Sequence, residues 1–229
     1  MKRNLIILAL LVFPGLCFFT EAQVRWGVRA GVNFTNVWAV VNGKPTNSTI
    51  RAGFKGGADA EIPLGHLFRI EPGLLFSTKG YKNGQAVKLN TNAYYLEMPV
   101  NIIYCPKVGR RSLLLGTGPY LGYGLGGKWK TPGVNSGSDF RMGWNGNLQF
   151  VNDTKMDDYY YTAPGANFTY GKPIDVGVNF LAGYELSDNL DLRLEGQLGI
   201  TDLAPKVEGQ TTKDHLKNVG FGVSVGYKF

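Results

Sequence analysis

Cysteine is almost absent from this 229-residue chain, which carries only Cys17 and Cys105. Cys17 lies in an apolar amino-terminal segment. A mature chain beginning after that segment keeps Cys105 alone, which excludes an intramolecular disulfide and a cysteine-built structural metal site. Histidine is as scarce, with His66 and His215 only. Charged residues reach 18%, below the roughly 25% of an ordinary soluble domain. The formal charge of +7 is spread singly, without a Lys/Arg block or basic helix, so nucleic acid is not an expected partner and anionic surfaces are. Glycine, at 32 residues, and aromatics, at 13%, are plentiful. Little charge with much glycine and aromatic area fits a small β-barrel better than a helical enzyme.

The amino terminus reads as a targeting signal. Lys2 and Arg3 precede an unbroken apolar run over residues 5–13, and Thr20-Glu21-Ala22 offers a cleavage site with Gln23 as the first mature residue. Pro14-Gly15 interrupts the run, and even residues 5–19 fall short of the ~20 a spanning helix needs. Leu16 precedes Cys17 where a lipoprotein signal wants a small residue. The expected division is a signal peptide over 1–22 and one barrel domain over 23–229.

After Gln23 the dominant pattern is alternation, the mark of strands, and it recurs eight times: over residues 25–38, 50–62, 68–78, 94–104, 113–125, 174–185, 190–201 and 218–229. One face is apolar throughout, as in Trp26, Val28, Ala30, Val32 and Phe34 of the first segment. Every charge sits on the other face: Arg29; Arg51, Lys55, Asp59 and Glu61; Arg69 and Glu71; Glu97; Asp175 and Glu185; Asp191, Arg193 and Glu195; Lys228. The fifth segment sets its leucines against Gly116, Gly118, Gly122 and Gly124.

Periodicity alone does not say which face is inside. Strand length, connection length and aromatic placement do. The segments are ~10 residues or longer, enough to cross a bilayer when tilted, against about half that in globular sheets. The connections, over 39–49, 63–67, 79–93, 105–112, 126–173, 186–189 and 202–217, alternate long and short, as outer loops and periplasmic turns do. Aromatics gather near strand ends: Trp26, Tyr104, Tyr184, Tyr227 and Phe229 at one level, Trp38, Phe76, Tyr81, Tyr94, Tyr123 and Trp129 at the other, where amphipathic rings suit headgroups. A spanning sheet must close on itself, and an even strand count returns both termini to the periplasm. The expected fold is therefore all-β: an eight-stranded antiparallel transmembrane barrel, an up-and-down meander in the outer membrane. Eight strands leave an interior just filled by side chains. The inward charges Arg29, Arg51, Lys55, Arg69 and Arg193 against Asp59, Glu61, Glu71, Glu97, Asp175, Glu185, Asp191 and Glu195 are read as a paired polar network rather than a catalytic set, because unpaired buried charges cost several kcal/mol each. Pro72, Pro99 and Pro119 fall inside strands, where each removes a ladder bond and a bulge would accommodate it.

Other motifs yield to plainer readings. Gly122 to Lys128 has phosphate-loop spacing, but Trp129 stands where a Ser or Thr must ligate magnesium, and Lys130-Thr131-Pro132-Gly133 breaks any following helix. His66 and His215 fall on opposite sides of the membrane and cannot share a metal; His215 with Asp214 or Asp202 is the sole candidate for outer-rim hydrolysis. Asp153, Asp157 and Asp158 lack calcium-loop spacing. The loop aromatics Phe140, Trp144, Phe150, Tyr159, Tyr160, Tyr161 and Phe168 suit either glycan or protein contact or folding over the barrel mouth. Lys44, Lys82, Lys88, Lys128, Lys130, Lys206 and Lys213 suit lipopolysaccharide phosphates. Lys107, Arg110 and Arg111 occupy one periplasmic turn, facing inner-leaflet headgroups. No catalytic residue, cofactor or metal is expected.

Arg29-Ala30-Gly31-Val32-Asn33-Phe34, Tyr95-Leu96-Glu97-Met98-Pro99-Val100, Gly118-Pro119-Tyr120-Leu121-Gly122-Tyr123 and Asp175-Val176-Gly177-Val178-Asn179-Phe180 together resemble the PorT-like outer-membrane barrels of Bacteroidota, over essentially the whole mature chain. The resemblance implies prolines near 99 and 119, and an aromatic end, Tyr227 with Phe229, read by the barrel-assembly machinery. One branch of that family takes part in type IX protein secretion. The leading expectation is a non-enzymatic barrel, structural or surface-binding through its outer loops. A narrow porin-like channel and an accessory role in secretion are the alternatives. Deleting 133–169 is expected to abolish partner binding and leave folding intact.

Overall fold

A computed structural model describes residues 24–41, 43–83, 89–131, 144–160 and 165–229; the segment 1–22 expected to be a signal peptide, Lys88, Phe140 and Tyr161 lie outside the described residues. Eight long strands form the body: β1 Arg25–Val41, β2 Ser48–Leu64, β3 Phe68–Lys79, β4 Leu89–Tyr104, β5 Arg111–Thr131, β6 Ile174–Glu185, β7 Leu190–Gly199 and β8 His215–Lys228. Each pairs antiparallel with its neighbours in the chain. β1 also pairs antiparallel with β8, from Gly27↔Lys228 to Val40↔His215. The sheet is closed, so no strand edge is left unpaired in the bilayer.

The exposure pattern settles which face is which. Trp26, Val32, Phe54 and Leu194 are 64%, 51%, 56% and 62% exposed, whereas Arg29, Asp59, Glu71 and Arg193 are 5%, 4%, 3% and 2% exposed. Apolar side chains face the lipid and charged ones face the axis. This predicts an asymmetry between adjacent positions. Val32→Arg, near mid-strand and lipid-facing, should cost about 2–4 kcal/mol of folding stability in bilayers. Denaturant titration in lipid vesicles checks it, and an unchanged midpoint would place that face away from lipid.

The strands run past the lengths expected from the sequence. Above the outer girdle the alternation persists but its sense inverts. Val37, Ala39, Leu89, Ala93, Trp129 and Leu216 face inward and are buried, while Lys128 and Lys130 face out. Strand extension therefore lies outside the bilayer, where water sits on the outer side of the wall. The girdle assignment needs one correction for the same reason. Trp38 and Tyr123 are exposed at 70% and 54%, but Trp129 is fully buried and Tyr81 packs beside it inside the mouth.

The three prolines are accommodated without bulges. Register is constant across each of them, and the shift in β4–β5 falls at Tyr94/Tyr95 instead. Each proline keeps a partner on one side, Pro72↔Val100, Pro99↔Tyr120 and Val178↔Pro119, while ladder pairs drop out on the other side, a position that needs no N–H from the ring. The gaps line up as a seam crossing β2 to β5. At this seam Gly118 brings its backbone against β4; a Cβ there would lie 1.9 Å from the Val100 carbonyl oxygen.

Candidate functional site

The interior is stacked in layers. At the periplasmic end, Glu61 receives Arg25 at 2.7 Å and Arg69 at 3.1 Å, and Arg69 also reaches Glu185 at 2.7 Å. Beside them Ile103, Cys105, Leu114 and Leu181 form a small apolar cluster. Next comes a buried set of six charges. The Arg193 guanidinium makes a fork with Glu71 at 2.6 and 2.8 Å, and its Nε donates to Asp191 at 2.8 Å. Arg29 bridges Asp59 at 3.0 Å and Asp191 at 3.1 Å, and Lys228 joins Asp59 to Glu71. Three cations thus face three carboxylates, with planar guanidinium pairing that fixes orientation as well as charge.

Above them Lys55 meets Glu195, which also accepts from the Ser224 hydroxyl at 2.6 Å. Lys79 lies between Glu97 at 2.7 Å and Asp175 at 3.0 Å, over the faces of Tyr95 and Tyr120. The Tyr120 hydroxyl and the Asn218 amide both donate to Asp175, and the Tyr170 hydroxyl donates to Asn218 at 2.8 Å.

Of the thirteen network residues proposed from the sequence, Arg51 has no carboxylate partner among the described residues; its Nε donates to Asn90 at 3.3 Å near the outer rim. Lys79, Lys228 and Arg25 belong to the network besides those thirteen. Strand parity was the available signal. Lys79 continues the inward series Arg69, Glu71, Ser77, and Lys228 continues Ser224 and Gly226. With these three, the inward cations and carboxylates balance one for one.

The outer mouth is closed by apolar packing. Trp129, Tyr95 and Tyr170, with Val37, Leu89, Leu148, Phe168, Leu203 and Leu216, make a buried cluster joined by Phe150 and Tyr81. The long loop after β5 supplies much of it. Its segment Trp144–Phe150 pairs antiparallel with the top of β5, and Asn167–Gly171 lies parallel beside that. The Trp129 indole donates to the Ala166 carbonyl at 3.0 Å. Folding over the mouth is thus the fate of Phe150 and Phe168. Deleting 133–169 would remove Leu148, Phe150 and Phe168 from this cap. A five-residue helix, α1 (Met156–Tyr160), rides on it.

At the rim, His215 Nδ1 lies 2.6 Å from Asp202. Burial alone would push the Asp202 carboxyl up, but the Leu216 N–H, the His215 ring and the Ala204 N–H together hold it below the usual carboxylate range. Its hydrogen bonds tie the last loop to the start of β8. His66 lies at the opposite end, in the turn after β2. The whole Gly122–Lys128 motif is continuous strand in β5, with no helix N-terminus to receive a phosphate. Among the described residues no group of three His, Cys, Asp or Glu side chains is placed to hold a metal. Tyr227 and Phe229 stack edge-to-face at 5.5 Å on the periplasmic end.

Residues 19–204 match the outer membrane protein beta-barrel domain family. No curated protein sequence matches the chain. Among solved structures, the chain is similar to Ail, the attachment invasion locus protein of Yersinia pestis, in complex with the heparin analogue sucrose octasulfate, at 12% identity and a TM-score of 0.42, covering 90% of this chain and 99% of that one. It is similar to Neisserial surface protein A at 13% identity, a TM-score of 0.42 and the same coverage. It is similar to OprG of Pseudomonas aeruginosa at 11% identity and a TM-score of 0.40, covering 91% and 97%.

Proposed function

The chain belongs to the outer membrane protein beta-barrel domain family, and from that premise we propose that it is a non-conducting, non-enzymatic barrel that binds anionic lipopolysaccharide through the outer wall of its loops. The observation that carries this reading is a basic row above the outer girdle. Lys82 and Lys130 stand in register on either side of Asn90, and Lys128 stands opposite Asn92, two residues above Tyr94. All three ammonium groups are solvent-exposed. Lysines displayed just above an aromatic girdle stand where lipid A phosphates lie, and charge-assisted hydrogen bonds to phosphate are the strong class. The filled interior and the capped mouth favour binding over passage. The Asp202–His215 pair favours a tether over an active site, since its other hydrogen bonds go to backbone amides.

Titrating the purified barrel with lipopolysaccharide and with its dephosphorylated form tests the reading. The wild type should prefer the phosphorylated form, with affinity falling as salt rises. Replacing Lys82, Lys128 and Lys130 together by glutamine should cost at least ~10-fold, since about 1 kcal/mol per basic residue is typical at an anionic membrane surface. Equal affinity for both forms would sink it. The resemblance to PorT-like barrels supports a second reading, an accessory role in type IX secretion; normal surface-protein export in a deletion strain would count against that branch.

A further inference from the structure

Charge is unevenly placed around the periplasmic rim. The turn after β2, Gly65-His66-Leu67, carries no Lys, Arg, Asp or Glu, and the turn after β6 carries Asp188 alone. The hairpin joining β4 to β5 carries Lys107, Arg110 and Arg111 and no carboxylate. Its arms pair Lys107 with Ser112 and Val108 with Arg111. Gly109, at φ 69°, supplies the positive φ of the tight turn between them.

Parity says where these side chains point. Ser112 and Leu114 are buried on the axis side, whereas Arg111 continues the outward series of Leu115 and Leu113. Val108, opposite Arg111, shares that outer face and is exposed; Lys107, opposite Ser112, lies on the other. The outer face also carries two girdle tyrosines, Tyr184 in register with Leu113 and Tyr104 in register with Leu115. The Tyr184 hydroxyl donates to the Val108 carbonyl at 3.2 Å, which fastens the hairpin against the girdle. Arg111 pairs with Asp188, whose backbone carbonyl also receives Arg25 at 3.1 Å. Arg110, at the tip, is exposed and forms no ion pair among the described residues. Two adjacent guanidiniums thus face one carboxylate, at the level where the girdle meets the headgroups of the inner leaflet.

We propose that Arg110 and Arg111 form a binding site for the phosphate of an anionic phospholipid in the periplasmic leaflet, with Val108 and Tyr184 against the lipid's glycerol and upper acyl chain. The planar donors of a guanidinium match two phosphate oxygens at once. The surplus positive charge selects an anionic headgroup over a zwitterionic one, whose own ammonium would meet the arginines. Lipid held here ties the β4–β5 hairpin and, through Asp188, the β6–β7 turn to the membrane surface. The site lies at the opposite end of the barrel from Lys82, Lys128 and Lys130 and does not rest on them.

The test uses the mature barrel reconstituted in phosphatidylcholine vesicles. One sample contains a trace of phosphatidylglycerol bearing a diazirine near its headgroup, and a parallel sample contains phosphatidylcholine bearing the same group. Cross-linked peptides are mapped by mass spectrometry. The phosphatidylglycerol probe should label residues 104–115 about 5-fold more than the phosphatidylcholine probe, the preference expected of one surplus basic residue at a membrane surface. Raising the salt should reduce it. Arg110→Gln should remove the preference and leave the heat-dependent gel shift unchanged, since Arg110 holds no ion pair in the fold. The variant with Lys82, Lys128 and Lys130 all replaced by glutamine should keep the preference. Equal labelling by the two probes would overturn the proposal, as would a preference that survives Arg110→Gln. A preference lost in the triple lysine variant would also overturn it, by assigning the selectivity to the outer row.

Discussion

Replacing Glu71 by alanine is expected to cost the folded barrel about 3–5 kcal/mol, the usual loss when one partner of a buried ion network is removed. Glu71 accepts both nitrogens of the Arg193 fork and the Lys228 ammonium, and it sits 3.5 Å from Arg29. Its removal leaves three buried cations facing only Asp59 and Asp191. Urea unfolding in lipid vesicles reads the loss directly, as a lower midpoint with an unchanged slope. Glu185→Ala is the control. Its carboxylate is 19% exposed, and Arg69 keeps Glu61 and gains water in its absence, so its loss should be well below that of Glu71. Similar losses at the two positions would mean that the middle layer is wet, and the interior would then be a water path.

The second large effect is expected at Trp129→Ala. Trp129 is fully buried, and a glycine at 146 is needed beneath it, since a Cβ there would lie 2.5 Å from the indole nitrogen. Truncation creates a large cavity and strands the Ala166 carbonyl, about 3–5 kcal/mol by the measure of buried aromatic deletions. The loss should be local, because the cap stands above the bilayer and the eight-strand ring beneath does not depend on it. Hydrogen exchange is the appropriate readout. Amides of Trp144–Phe150 and Asn167–Gly171 should lose protection while those of β1 and β8 keep theirs. Uniform deprotection of the barrel would show that cap and ring unfold as one unit.

The contrast between these two sites shows what alternation can and cannot reveal. Within the bilayer the rule is uniform, apolar out and charged in, so eight strands and most of the charge network were legible from residue parity alone. Lys79 was missed because it sits at the level where lipid gives way to water, and the strand was ended one residue too early. Lys228 was legible by parity but lay between the aromatic terminal residues. Above the membrane the meaning of an apolar residue reverses. Trp129 and Tyr81 satisfy the same composition rule as the girdle aromatics Trp38 and Tyr123, yet they point inward, because outside the bilayer the wall's outer side is wet and its inner side is dry. No local signal in the sequence marks that crossing point. The cap was illegible for a second reason. Phe150, Phe168 and Tyr170 come from a long connection, and their convergence on Trp129 and Tyr95 depends on non-local pairings, Trp144–Phe150 against β5 and Asn167–Gly171 parallel to it. Sequence spacing does not encode such pairings. The prolines are instructive in the opposite direction. Each was expected to need a bulge, and the barrel instead leaves out ladder pairs on the flank where the missing N–H would have donated.

The interior is filled by paired charges and closed above by the cap. Single-channel recording of the mature barrel, refolded, verified by its heat-dependent gel shift and inserted into a planar bilayer, tests this most directly. A filled, capped barrel should leave the membrane silent at both polarities. Steady, reproducible openings of uniform size would contradict it, because ions would then be passing Arg29, Glu71 and Arg193 in the layer where each is engaged by another.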